Sequence, residues 1–259
     1  MVKCLEFIVS ASTDKGIVKE NNQDSFGLKV LRTQCGKMVV AILCDGMGGL
    51  AKGEVASATV VDAFCKWILT DMPAICERGI NEQAIRTEWN RVIHNCNERI
   101  KAYGKSCGVS LGTTISAILL TETDYYIVNV GDSRVYEITD QARILTRDQT
   151  VVAREVELGI ITPEQAEVDP RQSVLLQCIG ASDVVVPDYF FGKIKKDAVY
   201  MLCSDGFRHK IKPHELHAYL NAGVMGSADT LKANMDMLIE LNKQRQERDN
   251  ITVVAVRTY

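Results

Sequence analysis

Short apolar runs rich in Val, Ile, Tyr and Phe recur along the chain and predict strands. They fall at Leu5–Ser10, Ser25–Leu31, Met38–Cys44, Thr114–Leu120, Tyr125–Val130, Arg134–Ile138, Val184–Phe190, Ala198–Cys203 and Ile251–Val256. Longer stretches carry the helical period instead. Gly53–Leu69 is one. Glu82–Tyr103 is clearer, with Ile85, Trp89, Val92, Cys96, Ile100 and Tyr103 on one stripe. Asn81 suits its N-cap and Gly104 its C-terminal stop. Pro213–Leu220 and a stretch at about 228–246 are also helical in pattern. Glu155–Asp169 reads as a helix, a break at Gly159 and a short helix beginning near Thr162-Pro163-Glu164. Strands and helices come in groups rather than in steady alternation. That order predicts an α+β sandwich with two sheets inside and helices outside. There is no solenoid-type repeat, low-complexity tract or Pro/Gly-rich linker, so residues 1–259 are expected to form one domain.

Composition narrows the class. An apolar share of 46% and a charged share of 24% over 259 residues suit a globular core that needs no staples. A formal charge of −3 argues against a nucleic-acid partner. Met38–Cys44 is too short to span a bilayer, and Glu6 interrupts the N-terminal apolar stretch early. A cytoplasmic protein without a membrane partner is expected. Its nine cysteines show no Cys-x-x-Cys spacing and are expected to be reduced thiols.

The candidate chemistry sits at strand ends. Ala41–Gly46 is an apolar strand ending in Asp45-Gly46, and Tyr200–Gly206 repeats the device with Asp205-Gly206. Tyr126–Asp132 ends in Gly131-Asp132, Asp24 opens a strand, and Asp249 just precedes Ile251–Val256. A buried strand cannot carry charge in its middle, but its end can deliver a carboxylate to a rim. Carboxylates crowded there would repel and take up protons unless a cation intervened. All-oxygen donors suit Mg²⁺ or Mn²⁺ rather than zinc. Taken singly, each Asp-Gly reads first as an ordinary hairpin turn; it is their joint occurrence that points to a site. His214 and His217 share a helix face without a third ligand, which disfavours zinc. A cysteine phosphatase is disfavoured as well. Leu202 precedes Cys203 where a histidine is needed, and Arg208 lies five rather than six positions on.

The ordered blocks Asp14–Asp24, Asp45-Gly-Met-Gly-Gly49, Gly112–Thr114, Val130–Arg134, Cys203–Gly206 and Asp249–Thr252 resemble the metal-dependent serine/threonine protein phosphatases of type 2C (the PPM family) in their bacterial branch. The resemblance covers nearly the whole chain. It implies a four-layer α-β-β-α sandwich with a binuclear Mn²⁺ or Mg²⁺ centre at one end. By position, Asp45 would bridge both ions and Gly46 would ligate through its carbonyl. Asp205 and Asp249 would complete the first ion, Asp24 would hold the second, and Asp132 matches the support of a third, weaker one. Lys19, Asp24 and Asp45 are the implied catalytic positions. Two cations about 4 Å apart would lower the pKa of a shared water for in-line attack on phosphorus. Phosphorylated proteins would be the substrates and a bacterial Ser/Thr kinase the opposing enzyme.

Three positions depart from the family's pattern. Lys19 stands where the family has a phosphate-gripping Arg, and lysine lacks the planar two-pronged contact. Gln23 stands where many members have Glu, which gives the second ion less negative charge. Asp148-Gln149-Thr150 replaces an acid-His-Ser stretch, so a histidine general acid is missing. The Glu155–Asp169 segment matches the family's variable flap and is the expected place for substrate selection. Two other classes remain open on these residues: a non-catalytic binding module on the same fold, and a hydrolase of small phosphate esters.

Overall fold

The computed structural model describes residues 5–48 and 52–259. Cys4 and Gly49, the last glycine of the Asp45–Gly49 block, lie outside them. The first strands are β1 (Phe7–Asp14), β2 (Ser25–Thr33), β3 (Gly36–Cys44) and β4 (Gly46–Gly48). Helices α1 (Gly53–Thr70), α2 (Met72–Arg78) and α3 (Glu82–Cys107) follow. Strands β5 (Leu111–Thr113), β6 (Ile115–Leu120), β7 (Asp124–Val130), β8 (Arg134–Ile138) and β9 (Ala142–Ile144) come next. Then come α4 (Val151–Glu157), α5 (Pro163–Ala166), β10 (Asp188–Lys193) and β11 (Val199–Cys203). The chain closes with α6 (Asp205–Arg208), α7 (Pro213–Leu220), α8 (Ala228–Gln244) and β12 (Ile251–Thr258).

Two five-stranded sheets carry the fold, ordered β1-β12-β11-β8-β9 and β10-β7-β6-β3-β2, with β4 and β5 paired as a small ribbon. Their strand pairs are antiparallel. β3 shows why the apolar runs are unbroken. Every side chain from Met38 to Cys44 is fully buried. Met38, Val40, Ile42 and Cys44 pack with α1 and α3 around Phe64, Trp67 and Trp89. Val39, Ala41 and Leu43 pack instead between the sheets, with Ile127 of β7, Leu202 of β11 and Val254 of β12. A strand covered on both faces has no reason to alternate with polar residues. The second sheet mirrors this: Met201, Cys203, Val253 and Ala255 join Leu216, Met235 and Leu238 of α7 and α8. The layers are therefore helix, sheet, sheet, helix, as expected. Each fully buried aliphatic side chain contributes about 1.5–3 kcal/mol.

Three boundaries differ from the sequence reading for physical reasons. Gly104 does not end α3. It lies inside the helix, where a Cβ would sit 2.7 Å from the Val109 carbonyl oxygen. The helix ends at Gly108, whose left-handed φ of 65° is open to glycine at little cost. Val184–Phe190 is not one strand, since β10 begins only at Asp188. Pro187 can donate no ladder bond, and the Val186 N–H and C=O bond the Gln177 side chain instead (2.8 and 2.7 Å). The flap's first helix begins at Val151 rather than Glu155, because Thr150 caps it by accepting from the Ala153 N–H (3.1 Å). Its second helix starts where expected, with a capping box at Thr162.

Candidate active site

Antiparallel register gathers strand ends from both sheets onto one rim. Cys44 at the end of β3 pairs with Ser25 at the start of β2, which sets Asp45 beside Asp24. Cys203 at the end of β11 pairs with Val253 near the start of β12 and with Arg134 at the start of β8. Asp205, Asp249 and the β7–β8 turn holding Asp132 therefore meet at the same end. The rim is pinned from below. The Asp45 N–H donates to Thr114 Oγ1 (3.0 Å), and its carbonyl accepts from the Thr114 N–H (2.9 Å) and from Thr113 Oγ1 (2.9 Å). Gly46 admits a close approach that no larger residue allows: a Cβ there would lie 2.3 Å from the Gly53 carbonyl oxygen and 2.4 Å from that of Gln23.

The carboxylates feel one another. Burial, then Asp24, Asp205, Asp132 and Asp249, pushes Asp45 well above the ordinary carboxylate range. Burial first, with Asp205 and Asp249 adding to it, raises Asp24 to about 7, although the nearby Thr252 and Ser204 hydroxyls oppose the shift. Burial and Asp205 raise Asp132 to about 7, although Arg208 opposes the shift. Lys19 Nζ lies 2.8 Å from Asp249 Oδ1. Burial works against its charge, but Asp249, with Asp45 and Asp205 beyond it, holds the ammonium pKa above its usual value.

Among the described residues, no three Asp, Glu, His or Cys side chains close onto a common point at ligand distance. The rim collects the carboxylates without converging them, as expected of like charges facing one another. Their chemistry nonetheless fits a divalent ion. Both oxygens of Asp24 and Oδ1 of Asp205 are buried without a hydrogen-bond partner. Orphaned anionic oxygens are costly unless a cation satisfies them, and an oxygen-only donor set suits Mn²⁺ or Mg²⁺.

Comparison with known proteins identifies the family. Residues 16–238 match the family model described as Protein phosphatase 2C. The chain belongs to the protein phosphatase 2C family. A serine/threonine phosphatase of Listeria innocua is 30% identical over 247 residues, covering 94% of this chain and 93% of that one. The Streptococcus agalactiae serine/threonine phosphatase structure superposes with a TM-score of 0.81 at 29% identity, covering 97% and 99% of the two chains. The catalytic domain of the phosphatase PstP, solved in complex with two manganese ions, gives a TM-score of 0.78 at 28% identity over 98% and 99% of the chains.

In this phosphatase-family chain the structure sets Asp24, Asp45, Asp132, Asp205 and Asp249 within one another's field, with Lys19 on Asp249. The Gly46 carbonyl faces Gln23. With the Gln23 amide oriented to satisfy both neighbours, its nitrogen donates to Gly46 O (3.3 Å) and its oxygen accepts from the Gly53 N–H (3.2 Å). An amide can do both at once, whereas a carboxylate can only accept.

Two functional neighbours escaped the sequence reading. Arg208 Nη2 reaches Asp132 Oδ2 (3.3 Å) and Asp148 Oδ2 (3.4 Å), while Arg134 grips Asp148 with two bonds of 2.8 and 2.7 Å. Burial would raise Asp148, but Arg134 and Arg208 hold its pKa below the usual range. His209 lies 3.6 Å from Asp205 and 3.5 Å from Glu247. Burial disfavours its charge, yet Glu247 and Asp205 raise its pKa. The available signal was position, and only for His209, which follows Asp205 by four residues on one face of a helical turn. Burial pushes the Cys203 thiol up to about 12, so it stays protonated near neutral pH.

Proposed function

We propose that this chain hydrolyses phosphoserine and phosphothreonine in proteins. The reading takes residues 1–259 as one catalytic unit working in a bacterial cytoplasm against a Ser/Thr kinase. The carrying observation is the shared rim of five aspartates, with orphaned oxygens on Asp24 and Asp205, in a chain of the protein phosphatase 2C family.

Asp45 would serve both of two divalent ions and the Gly46 carbonyl would be a further ligand, with Asp205 and Asp249 on one ion and Asp24 on the other, directly or through water. Asp132, oriented by Arg208, would support a third. When bound, Mn²⁺ or Mg²⁺ supplies a water of lowered pKa and positive charge for the phosphoryl oxygens. The remaining work falls to the chain itself. Lys19, half-exposed at the rim and on a flexible stem, can turn its ammonium towards a substrate phosphate. Gln149 is held at both ends of its amide, donating to Asp188 (3.0 Å) and accepting from the Gly131 N–H (2.9 Å). It serves architecture rather than proton transfer. The near-balanced charge leaves long-range attraction to nucleic acid weak, and no helix among the described residues is long and apolar enough to cross a membrane.

The test is hydrolysis of a phosphothreonine peptide and of p-nitrophenyl phosphate with Mn²⁺, with Mg²⁺ and with EDTA. Hydrolysis of both substrates with metal, lost in EDTA and reduced at least about 100-fold by Asp205→Ala, is expected. Activity that persists in EDTA, or in Asp205→Ala, would overturn the metal assignment. Activity on the small ester alone would point to a small-molecule hydrolase.

A further inference from the structure

Exposed apolar side chains are concentrated in the segment that follows α4. Of the seventeen large apolar residues exposed among the described residues, seven fall between 158 and 186, a short share of the chain. Three of them, Leu176, Val184 and Val186, are 53%, 70% and 64% exposed. They line one groove of about 360 Å³, together with Arg147, Arg154 and Asp188. Exposed apolar groups gathered this way mark a contact surface more often than scattered ones do.

The groove is joined to the rim. Gln177 Nε2 donates to Gln149 Oε1 (2.8 Å), which also accepts from the N–H of Gly131, the residue before Asp132 (2.9 Å). The Gln149 N–H donates to the Gly131 carbonyl (3.0 Å), and the Leu176 N–H donates to the Gln149 carbonyl (2.8 Å). Asp148, also in the groove, meets Arg208 at 3.4 Å, and Arg208 meets Asp132 at 3.3 Å. The charges along the groove's edge cancel. Arg147 pairs with Asp188 (3.0 Å) and Glu157 (3.5 Å), and Arg154 pairs with Glu157 (3.2 Å). A charged side chain gains little from paired neighbours, whereas an apolar one gains by leaving water.

We propose that this groove seats an apolar side chain of the phosphoprotein substrate, a few residues from the phosphorylated one. The proposal rests on the phosphatase reading above and adds a substrate class to it: phosphorylated segments with an aliphatic or aromatic neighbour. Gln149 and Gln177 are positioning residues that fix the groove wall to the Gly131–Asp132 turn. Leu176 and Val184 are the contact residues.

The test uses phosphothreonine peptides that carry one leucine at successive positions on either side of the phosphothreonine, with p-nitrophenyl phosphate as a substrate too small to reach the groove. The readout is the ratio of kcat/KM on peptide to kcat/KM on the small ester. For the parent protein the ratio should rise when leucine occupies one favoured position. Leu176→Asp and Val184→Asp, both at exposed sites, should remove that rise, a loss of roughly 10-fold carried mainly by KM. Met237→Asp, equally exposed on α8, should keep it. No leucine preference in the parent, or an unchanged ratio in Leu176→Asp, overturns the groove. If the parent hydrolyses neither substrate, the phosphatase reading fails separately. Anisotropy of fluorescein-labelled peptides then decides: leucine-dependent binding lost in Leu176→Asp supports the groove, and leucine-independent or absent binding overturns it.

Discussion

The ammonium of Lys19 rests 2.8 Å from Asp249, which puts it among the aspartates that the sequence placed at strand ends. Those aspartates were legible only together: each follows or precedes an apolar run, but singly each is an ordinary turn, and it was their joint occurrence that pointed to a site. Arg208 was not, because its partners Asp132 and Asp148 come from a distant turn and loop that only the folded register brings within 3.4 Å. The choice of lysine at position 19 has a kinetic consequence. Its three-donor ammonium makes a point contact, whereas a guanidinium would grip a phosphate with two parallel bonds. Lys19→Arg is therefore expected to lower KM for a phosphothreonine peptide a few-fold, with kcat changed less than about twofold. Steady-state kinetics on the two proteins checks it. An unchanged or higher KM removes Lys19 from the phosphate-binding role.

At the scale of elements, patterning alone located the long strands and the three long helices, because two-sided burial leaves continuous apolar runs and one-sided burial leaves a stripe. It misread segments whose backbone partners are side chains or whose glycine has a packing role. Val184–Val186 has strand composition, but Gln177 takes up the backbone groups of Val186, and Val184 and Val186 face solvent while Val185 is buried. Gly104 looks like a helix stop and is a close-packing site instead. Propensity and packing make opposite predictions there. Alanine is about 1 kcal/mol better than glycine inside a helix, so Gly104→Ala should stabilise the protein if propensity decides. A Cβ at Gly104 would press on the Val109 carbonyl at 2.7 Å and on Leu111 Cδ2 at 2.9 Å, and backbone cannot yield cheaply. We expect Gly104→Ala to lower Tm. The drop should exceed that of Gly108→Ala, where nothing lies within 4 Å of the added Cβ and only the left-handed φ of 65° costs, at about 1 kcal/mol. A melting curve in which Gly104→Ala gains stability would show that α3 and the Val109–Leu111 segment are not packed as described.

The whole molecule accommodates a rim of like charges, and that arrangement ties its stability to pH and to divalent cations together. In the unfolded chain Asp24 and Asp132 lose their protons near the ordinary value of about 4. In the folded chain burial and neighbouring carboxylates hold those protons up to about 7. Between these limits the folded state binds more protons than the unfolded one, so the free energy of unfolding falls as pH rises. His209 acts in the same direction. Its pKa is raised in the fold, so its contribution is complete below the unfolded value of about 6.5 and is lost as pH rises through the folded one. Asp148 and Glu215 have depressed values, Glu215 at about 2 beside Arg245. Their contributions fail only as pH falls below about 4, outside this window. In EDTA the Tm should therefore drop from pH 5 to pH 8, by roughly 5–10 °C if the two aspartates together lose a few kcal/mol. Mn²⁺ competes with protons for the same oxygens, so its stabilisation should grow over the same range. Thermal scans at four pH values, with EDTA and with millimolar Mn²⁺, measure both slopes. A Tm in EDTA that climbs with pH, or an Mn²⁺ shift equal at pH 5 and pH 8, is incompatible with a rim whose aspartates hold protons in place of a cation.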